Sequence, residues 1–224
     1  MKYSAIVTDI EGTTSRISFV TEVLFPYAAR ELPALIQTQQ HNPDVAAQLQ
    51  ACRTLMQQND ANIEQISQQL LQWIAADEKV TPLKALQGMV WQHGYQTGAF
   101  TGHVYDDVVR QLQHWHSQGV KLYVYSSGSV QAQQLLFQYS DAGDLTPLFS
   151  GYFDTRIGAK RDISSYAAIL QKLQLPPKQV LFLSDVTAEL DAAAQLGIDT
   201  VQLIRERQPA AKHKTAADFY QVAE

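Results

Sequence analysis

The sequence contains a single cysteine, Cys52, among its 224 residues. One cysteine excludes an intrachain disulfide and a thiolate metal cluster, because both need at least two sulfurs. Basic residues are also scarce, since 17 lysines and arginines stand against 22 acidic residues, for a formal net charge of -5. This balance argues against a nucleic-acid partner, because such proteins carry a basic footprint. It still allows a small anionic substrate, whose charge one basic residue can neutralise locally.

Long hydrophobic runs are missing as well. No apolar run approaches the roughly 20 residues that a membrane helix needs, and we expect no membrane association. The opening residues MKYSAI enter a strand pattern at once, so we expect no signal peptide. The hydrophobic fraction of 46% and the charged fraction of 17% are typical of folded globular proteins. The sequence therefore predicts a globular cytoplasmic protein.

Apolar runs rich in β-branched and aromatic residues alternate with stretches of helical periodicity. The runs predict strands at residues 4–10, 120–125, 151–154, 180–183 and 200–204. The periodic stretches predict helices at residues 108–115, 166–173 and 190–194. Strands that alternate with helices of this length favour an α/β fold with a doubly wound, mainly parallel sheet and right-handed crossovers.

Residues 15–102 interrupt this alternation. They are rich in glutamine, have almost no strand signal, and place apolar residues at helical spacing. Three amphipathic helices are predicted, at residues 45–56, 63–74 and 83–95. We therefore predict a helical domain at 15–102, inserted after the first strand of a core domain formed by residues 1–14 and 103–224.

Polar side chains suited to phosphate chemistry follow several of the predicted strands. Ligands bind at the carboxyl ends of the strands in an open parallel sheet, so these residues are the candidate site. They are Asp9 and Glu11 after the first strand, Ser126 and Ser127 after the second, Asp185 after the strand at 180–183, and Lys160 in the loop that precedes it.

Each of these residue types has a chemical reason to be present. A phosphoryl group carries diffuse negative charge, so an attacking carboxylate such as Asp9 needs a cation beside it. Asp9 and Asp185 offer the hard oxygen ligands that suit Mg²⁺, and Lys160 adds a second positive charge. Ser126 and the backbone amides after it can donate to phosphate oxygens. Glu11 can protonate the departing oxygen and then deprotonate the water that cleaves an aspartyl-phosphate.

The order and spacing of these motifs resembles the haloacid dehalogenase superfamily. DIEGT at 9–13 corresponds to the DxDxT motif of that family, SSG at 126–128 to its Ser/Thr motif, Lys160 to its lysine motif, and SD at 184–185 to its acidic motif. The inserted helices match in position the α-helical cap domains of the superfamily. The resemblance implies that a cap excludes water and selects the substrate while the sheet supplies the chemistry.

One departure from the usual DxDxT motif points to a particular family within this superfamily. Glu11 stands where an aspartate is usual, and LQGMVWQHGYQTGAFTGHVYDD at 86–107 and GYFDTRIGAKRD at 151–162 accompany it. Together these segments look like the enolase-phosphatases of the methionine salvage pathway, from end to end. The resemblance implies an enzyme that enolises 2,3-diketo-5-methylthiopentyl-1-phosphate. It then hydrolyses the phosphate to give 1,2-dihydroxy-3-keto-5-methylthiopentene.

The same resemblance implies a set of site residues and a monomeric state. One Mg²⁺ per subunit is expected on Asp9, Asp185 and the main-chain carbonyl of Glu11. The residues expected to contact the substrate are Ser126, Ser127 and Lys160. The base that drives enolisation is left open between Glu11 and a residue of the cap.

The same residues allow other functions. The alternative function is that of another Mg²⁺-dependent phosphatase, or a phosphonate hydrolase, of the same superfamily acting on a different small organic phosphate. A dehalogenase is disfavoured because Glu11 and Asp185 are typical of a metal-dependent member, and a non-catalytic regulator is disfavoured because no motif residue is lost.

Some residues also have alternative roles. Arg161 is the second candidate, after Lys160, for the basic residue that binds the phosphate. Asp191 is expected to be a helix first-turn acid, and Glu189 is left open. Residues 205–207 and 212–214 are expected to be solvated, with the alternative that Arg205, which follows a strand end, approaches the site.

Overall fold

The structure is a computed structural model that describes residues 2–206, 209 and 212–222. It divides the chain into two compact units. The first, here called the sheet unit, comprises Met1–Ile17 and Thr101–Glu224, and the second, the inserted unit, is Ser18–Phe100. The chain therefore leaves the sheet unit once, after the first strand, and returns to it once.

The sheet unit is built on parallel strands. In the described part of the chain they form one six-stranded sheet of order β3-β2-β1-β4-β5-β6, which confirms the predicted α/β class. Their bounds are β1 Ala5–Thr8, β2 Lys121–Tyr125, β3 Phe149–Phe153, β4 Val180–Ser184, β5 Asp199–Leu203 and β6 Lys214–Ala216. Every residue of β1 and β4 is buried, as expected for central parallel strands covered on both faces.

The strand register determines which residues meet at the carboxyl edge of the sheet. Thr8 at the end of β1 pairs with Val124 of β2 on one side and Leu183 of β4 on the other. Residues 9, 125–126 and 184–185 therefore emerge together. The chain runs from β1 outward to β3 and then crosses to β4, so the strand order reverses between β1 and β4. Ligand sites of open α/β sheets lie at such a switch point.

The described elements of the inserted unit are helical. The chain enters it through α1 (Ile17–Phe19) and a π-helical turn (Val20–Leu24), and continues into α2 Phe25–Gln39, α3 Pro43–Met56, α4 Ile63–Ala75 and α5 Thr81–Gln96. Asn42 caps α3, and Asn62 forms a reciprocal capping box with Gln65 at the start of α4. The helices bury an apolar core that includes Ile36, Leu49, Cys52, Ile66 and Leu70.

The remaining helices belong to the sheet unit. They are α6 Asp106–Ser117, α7 Val130–Gln138, α8 Ile163–Leu173 and α9 Thr187–Ala194. The apolar faces predicted for three of them are buried at Leu112, Trp115, Tyr166, Ile169 and Leu190. No helix in the described ranges is long and apolar enough to cross a membrane.

Several sequence-based expectations were wrong or incomplete. Helix α2 was not predicted; its Pro26 lies in the first turn, where proline is tolerated, and its Pro33 lies inside the helix. Strand β6 was missed because it has three residues with only Ala216 buried. The side chains of Arg205 and His213 are not solvated, since each is only 6% exposed. Arg207 lies outside the described residues.

Candidate active site

Asp9 is the first residue after β1. Its amide donates to the carbonyl of Leu183 at 2.9 Å, so it still follows the ladder to β4. The residue is 4% exposed, and its Oδ1 accepts a 2.8 Å hydrogen bond from the Ile10 amide. The hydroxyls of Thr8 and Thr14 donate to the Asp9 carbonyl at 3.0 and 3.2 Å. A buried carboxylate held in this way has a single orientation.

Lys160 joins Asp9 to a second carboxylate. Its Nζ lies 2.6 Å from Asp9 Oδ1 and 2.7 Å from Glu189 Oε2, and all three side chains are less than 10% exposed. Ser184 Oγ lies on the other side, 3.3 Å from Asp9 Oδ2 and 3.0 Å from Glu189 Oε2. Asp9, Lys160, Glu189 and Ser184 therefore form a closed ring, here called the lysine cluster.

The electrostatics of the lysine cluster follow from its burial. Burial alone disfavours a charged ammonium, but the charges of Asp9 and Glu189 outweigh it and raise the pKa of Lys160 above its usual value. Burial and the nearby charge of Asp9 raise the pKa of Glu189 to about 7, against the opposing effect of Lys160. The cluster thus keeps Lys160 cationic and makes the Glu189 carboxyl easier to protonate than an ordinary glutamate.

Asp185 is held against the loop that follows β1. Its amide donates to Thr13 Oγ1 at 3.1 Å. Gly12 adopts a positive φ of 70°, and a Cβ at this position would collide with the Asp185 carboxylate. Only glycine combines this backbone conformation with so close an approach. The loop after Asp9 is therefore folded around the Asp185 side chain.

The donor set here fits a small hard cation. Asp9 and Asp185 bring two carboxylates to neighbouring strand ends, and the loop between Asp9 and Thr13 adds main-chain carbonyls. Across the described residues, no group of three His, Cys, Asp or Glu side chains could hold a metal. Two carboxylates with a main-chain carbonyl, such as that of Glu11, form a set of the kind that Mg²⁺ accepts, since this ion retains several waters.

Residues 126–129, here called the phosphate loop, join β2 to α7. Ser126 is 2% exposed and its Oγ accepts a 3.1 Å hydrogen bond from the Gly128 amide. Ser129 caps α7 by accepting from the Ala132 amide at 3.2 Å. Ser127 is half-buried. The loop thus places hydroxyls and amides at the carboxyl edge of the sheet, next to the strand that carries Asp9.

Residues 154–160, here called the lysine loop, connect β3 to the segment before α8. Its carbonyls are fixed by hydroxyl donors from two other elements. Tyr125 of β2 donates to Gly158 at 2.9 Å, and Tyr166 of α8 donates to Lys160 at 2.7 Å. Ser165 donates to Ala159 at 2.7 Å. These bonds fix the backbone that carries the Lys160 ammonium.

The remaining candidate residues, Arg161, Asp191 and Glu11, lie outside the lysine cluster. Arg161 is exposed, whereas Lys160 lies inside the lysine cluster. Asp191 lies beyond the first turn of α9, contrary to expectation, and pairs with Lys212 and His213 instead. Glu11 is half-buried, and its main chain pairs with that of Ser15.

The structure gives defined contacts to two residues, Glu189 and Arg205, whose part in the site the sequence left open. Glu189 is in the first turn of α9 and also holds Lys160, which a spacing of 29 residues does not reveal. Arg205 donates to the Thr13 carbonyl at 3.1 Å and forms a two-pronged ion pair with Asp107 at 2.8 and 3.0 Å. Arg205 therefore stabilises the loop that follows Asp9 through the Thr13 carbonyl.

Comparison with known proteins agrees with this geometry. The family model for haloacid dehalogenase-like hydrolases matches residues 3–197. A Pseudomonas syringae protein named enolase-phosphatase E1 is 54% identical over 219 residues, covering 98% of this chain and 96% of that one. The enolase-phosphatase E1 of Pseudomonas aeruginosa is 56% identical, with 98% and 97% coverage.

Among solved structures, the UTR4 protein of Saccharomyces cerevisiae superposes with a TM-score of 0.83. It is 36% identical, and the alignment covers 98% of this chain and all of that one. The agreement therefore extends over both units and is not confined to the motifs. The chain belongs to the haloacid dehalogenase-like hydrolases and, within them, to the enolase-phosphatase E1 family.

Proposed function

We propose that this protein carries out both steps of its family's reaction on one substrate. It enolises 2,3-diketo-5-methylthiopentyl-1-phosphate and then hydrolyses the phosphate ester to 1,2-dihydroxy-3-keto-5-methylthiopentene. The observation that carries the phosphatase step is the lysine cluster at the carboxyl edge of the sheet, where a buried carboxylate lies 2.6 Å from a buried ammonium. Such a pair can bring an anionic nucleophile to an anionic phosphate.

The phosphatase step is a double displacement through Asp9. An oxygen of its carboxylate attacks phosphorus, the ester P–O bond breaks, and the departing oxygen takes a proton from Glu11. Glu11 then removes a proton from a water molecule, which attacks phosphorus and releases inorganic phosphate from Asp9. Asp9 and Glu11 both return to their starting states, so the cycle balances.

Lys160 holds the charge of the transferred group during both displacements. Its ammonium neutralises Asp9 before attack and the phosphoryl oxygens afterwards. Glu189 contacts the same ammonium at 2.7 Å, so Lys160 keeps a fixed partner when the Asp9 carboxylate becomes an acyl phosphate. The Ser126 Oγ accepts from the Gly128 amide, and its hydroxyl proton is the donor proposed for a phosphate oxygen.

A single Mg²⁺ per subunit belongs to this proposal, with Asp9, Asp185 and the Glu11 main-chain carbonyl as its ligands. When bound there, the ion neutralises negative charge on the transferring group and polarises the substrate oxygens. The requirement for glycine at position 12, beside the Asp185 carboxylate, supports a tightly folded ligand loop.

Enolisation needs a base for the carbon acid. Glu11 is the candidate from the sheet unit, and a residue of the inserted unit, acting as a cap, is the other candidate. The substrate contacts proposed for the phosphate end are Ser126, Ser127 and Lys160. A cytoplasmic location and a monomeric state remain part of the proposal.

Anaerobic turnover of the diketone phosphate with Mg²⁺ tests both steps together. Enol absorbance and free phosphate are followed in the same reaction, with and without EDTA. We expect a transient enol followed by phosphate, both abolished by EDTA. Phosphate release without an enol would support another phosphatase of this fold, and no reaction by folded, metal-loaded protein would contradict the proposal.

A further inference from the structure

Gln133 of α7 is a buried polar residue that the proposed reaction does not use. It is 1% exposed, and both hydrogens of its amide are engaged. Nε2 donates to the Gly128 carbonyl at 2.8 Å and to the Phe153 carbonyl at 2.9 Å. Because both partners are acceptors, the orientation of the amide is fixed. One side chain therefore ties the phosphate loop to the end of β3.

The Gln133 carbonyl oxygen shows that a glutamine at this position carries a cost in stability. Oε1 is buried and has no hydrogen-bond partner among the described residues. An unsatisfied buried carbonyl costs free energy that an apolar side chain of the same size would avoid. The two donated bonds are therefore the feature that distinguishes glutamine from an apolar residue at this position.

Further hydrogen bonds connect the same two segments. The Ser126 amide donates to the Phe153 carbonyl at 3.2 Å. The amide of Val130, the first residue of α7, donates to Asp154 Oδ2 at 3.3 Å. Asp154 is the residue at which the lysine loop begins. Gln133 thus lies at the junction between the phosphate loop and the lysine loop.

We propose that Gln133 is a positioning residue for phosphate binding, which fixes the phosphate loop relative to the lysine loop. Ser126 and Lys160 must reach one phosphate from these two loops. Gln133 donates both to the Gly128 carbonyl in the phosphate loop and to the carbonyl of Phe153, the residue that precedes the lysine loop. The inference rests on the phosphatase activity proposed above, but it concerns phosphate binding and not the identity of the ester.

The test compares two methionine variants on the same helix. Gln133→Met keeps the length of the side chain and removes both donors, whereas Gln134→Met changes an exposed neighbour. Isothermal titration calorimetry with inorganic phosphate, in the presence of Mg²⁺, measures affinity, and thermal melting measures the fold. We expect Gln133→Met to weaken phosphate binding about tenfold, because a small misplacement of binding groups is costly. The variant should also melt at a lower temperature, because the Gly128 carbonyl loses its donor, but it should remain folded at the temperature of the titration. Gln134→Met should match the wild type.

A second variant keeps the inference testable if Gln133→Met folds poorly. Gln133→Glu is nearly isosteric, and its carboxyl can donate one bond only when it is protonated. Its phosphate affinity, expressed as a ratio to the wild type at each pH, should recover as the pH falls. A flat ratio, or wild-type affinity in Gln133→Met, would overturn the inference and leave the phosphatase proposal intact. Wild-type protein that binds no phosphate would overturn both.

Discussion

The two units of the chain bury very different side chains. In the described part of the sheet unit, Asp9, Asp154, Lys160 and Glu189 are buried together with eight serine or threonine side chains and two glutamines. In the described part of the inserted unit, Gln87 is the one buried polar residue, and the core is otherwise apolar. Buried charges cost free energy, so a fold retains them where chemistry requires them. Substitutions in the sheet unit should therefore change activity first, and those in the inserted unit should change stability first.

The largest expected effect is on activity, at Asp9. Asp9→Asn removes the nucleophile, and we expect kcat to fall by at least about 10⁴-fold. The melting temperature of the metal-free protein should hold or rise, because Glu189 still neutralises Lys160 and the lysine cluster changes from a net charge of -1 to zero. Phosphate release and thermal melting measure the two effects. Normal turnover would exclude Asp9 as the nucleophile.

The converse effect is expected in the inserted unit. Leu70 is fully buried in its core, and Leu70→Ala should lower the free energy of unfolding by about 2–5 kcal/mol through the cavity it leaves. At a temperature where the variant stays folded, its affinity for inorganic phosphate should equal that of the wild type. Leu55→Ala, at a position that is 52% exposed, is the matched control and should cost little. Weaker phosphate binding in Leu70→Ala would contradict the claim that core substitutions in the inserted unit affect stability and not the site in the sheet unit.

Glu189 gives the sheet unit a distinctive pH dependence. Its pKa is raised from an ordinary 4.5 to about 7, so between these values the folded protein binds a proton that the unfolded chain has released. The free energy of unfolding should therefore decrease as the pH rises through this window, by on the order of 2 to 3 kcal/mol. Denaturant titrations of metal-free protein measure the slope. Glu189→Gln should remove this contribution, and an unchanged slope would contradict the assignment.

The smallest expected effect concerns the positioning of Lys160. Glu189→Gln leaves Asp9 in place but weakens the second anchor of the ammonium, so we expect kcat to fall about tenfold. Glu64→Gln, which changes an exposed acid of α4, is the control. Turnover that equals the wild type would show that Asp9 alone holds Lys160.

The sequence was informative where function depends on single residues at strand ends. Asp9, Ser126 and Asp185 follow apolar runs that predict buried strands, and their meeting at one edge follows from the parallel topology. The core of the inserted unit was partly readable for the same reason, since α3 and α4 keep a helical period. In both cases a local pattern dictates a local structure.

Contacts that depend on distant segments could not be read in this way. The contact of Glu189 with Lys160 is set by the packing of α9 and the lysine loop, which no local period encodes. Gln133 is one of many glutamines in the chain, and its burial depends on carbonyls at Gly128 and Phe153. Helix α2 was not predicted, although Leu32 and Ile36 form a buried face. Tertiary context decided each of these outcomes.

The covalent intermediate on Asp9 is the most direct test of the phosphatase mechanism. A single turnover with substrate labelled in its phosphate is quenched in acid within the first turnover, and peptides are examined by mass spectrometry. We predict a labelled phosphoryl group on the peptide that contains Asp9, and none in Asp9→Asn. Phosphate release with no label on the protein, or a label on another residue, would contradict the double displacement through Asp9.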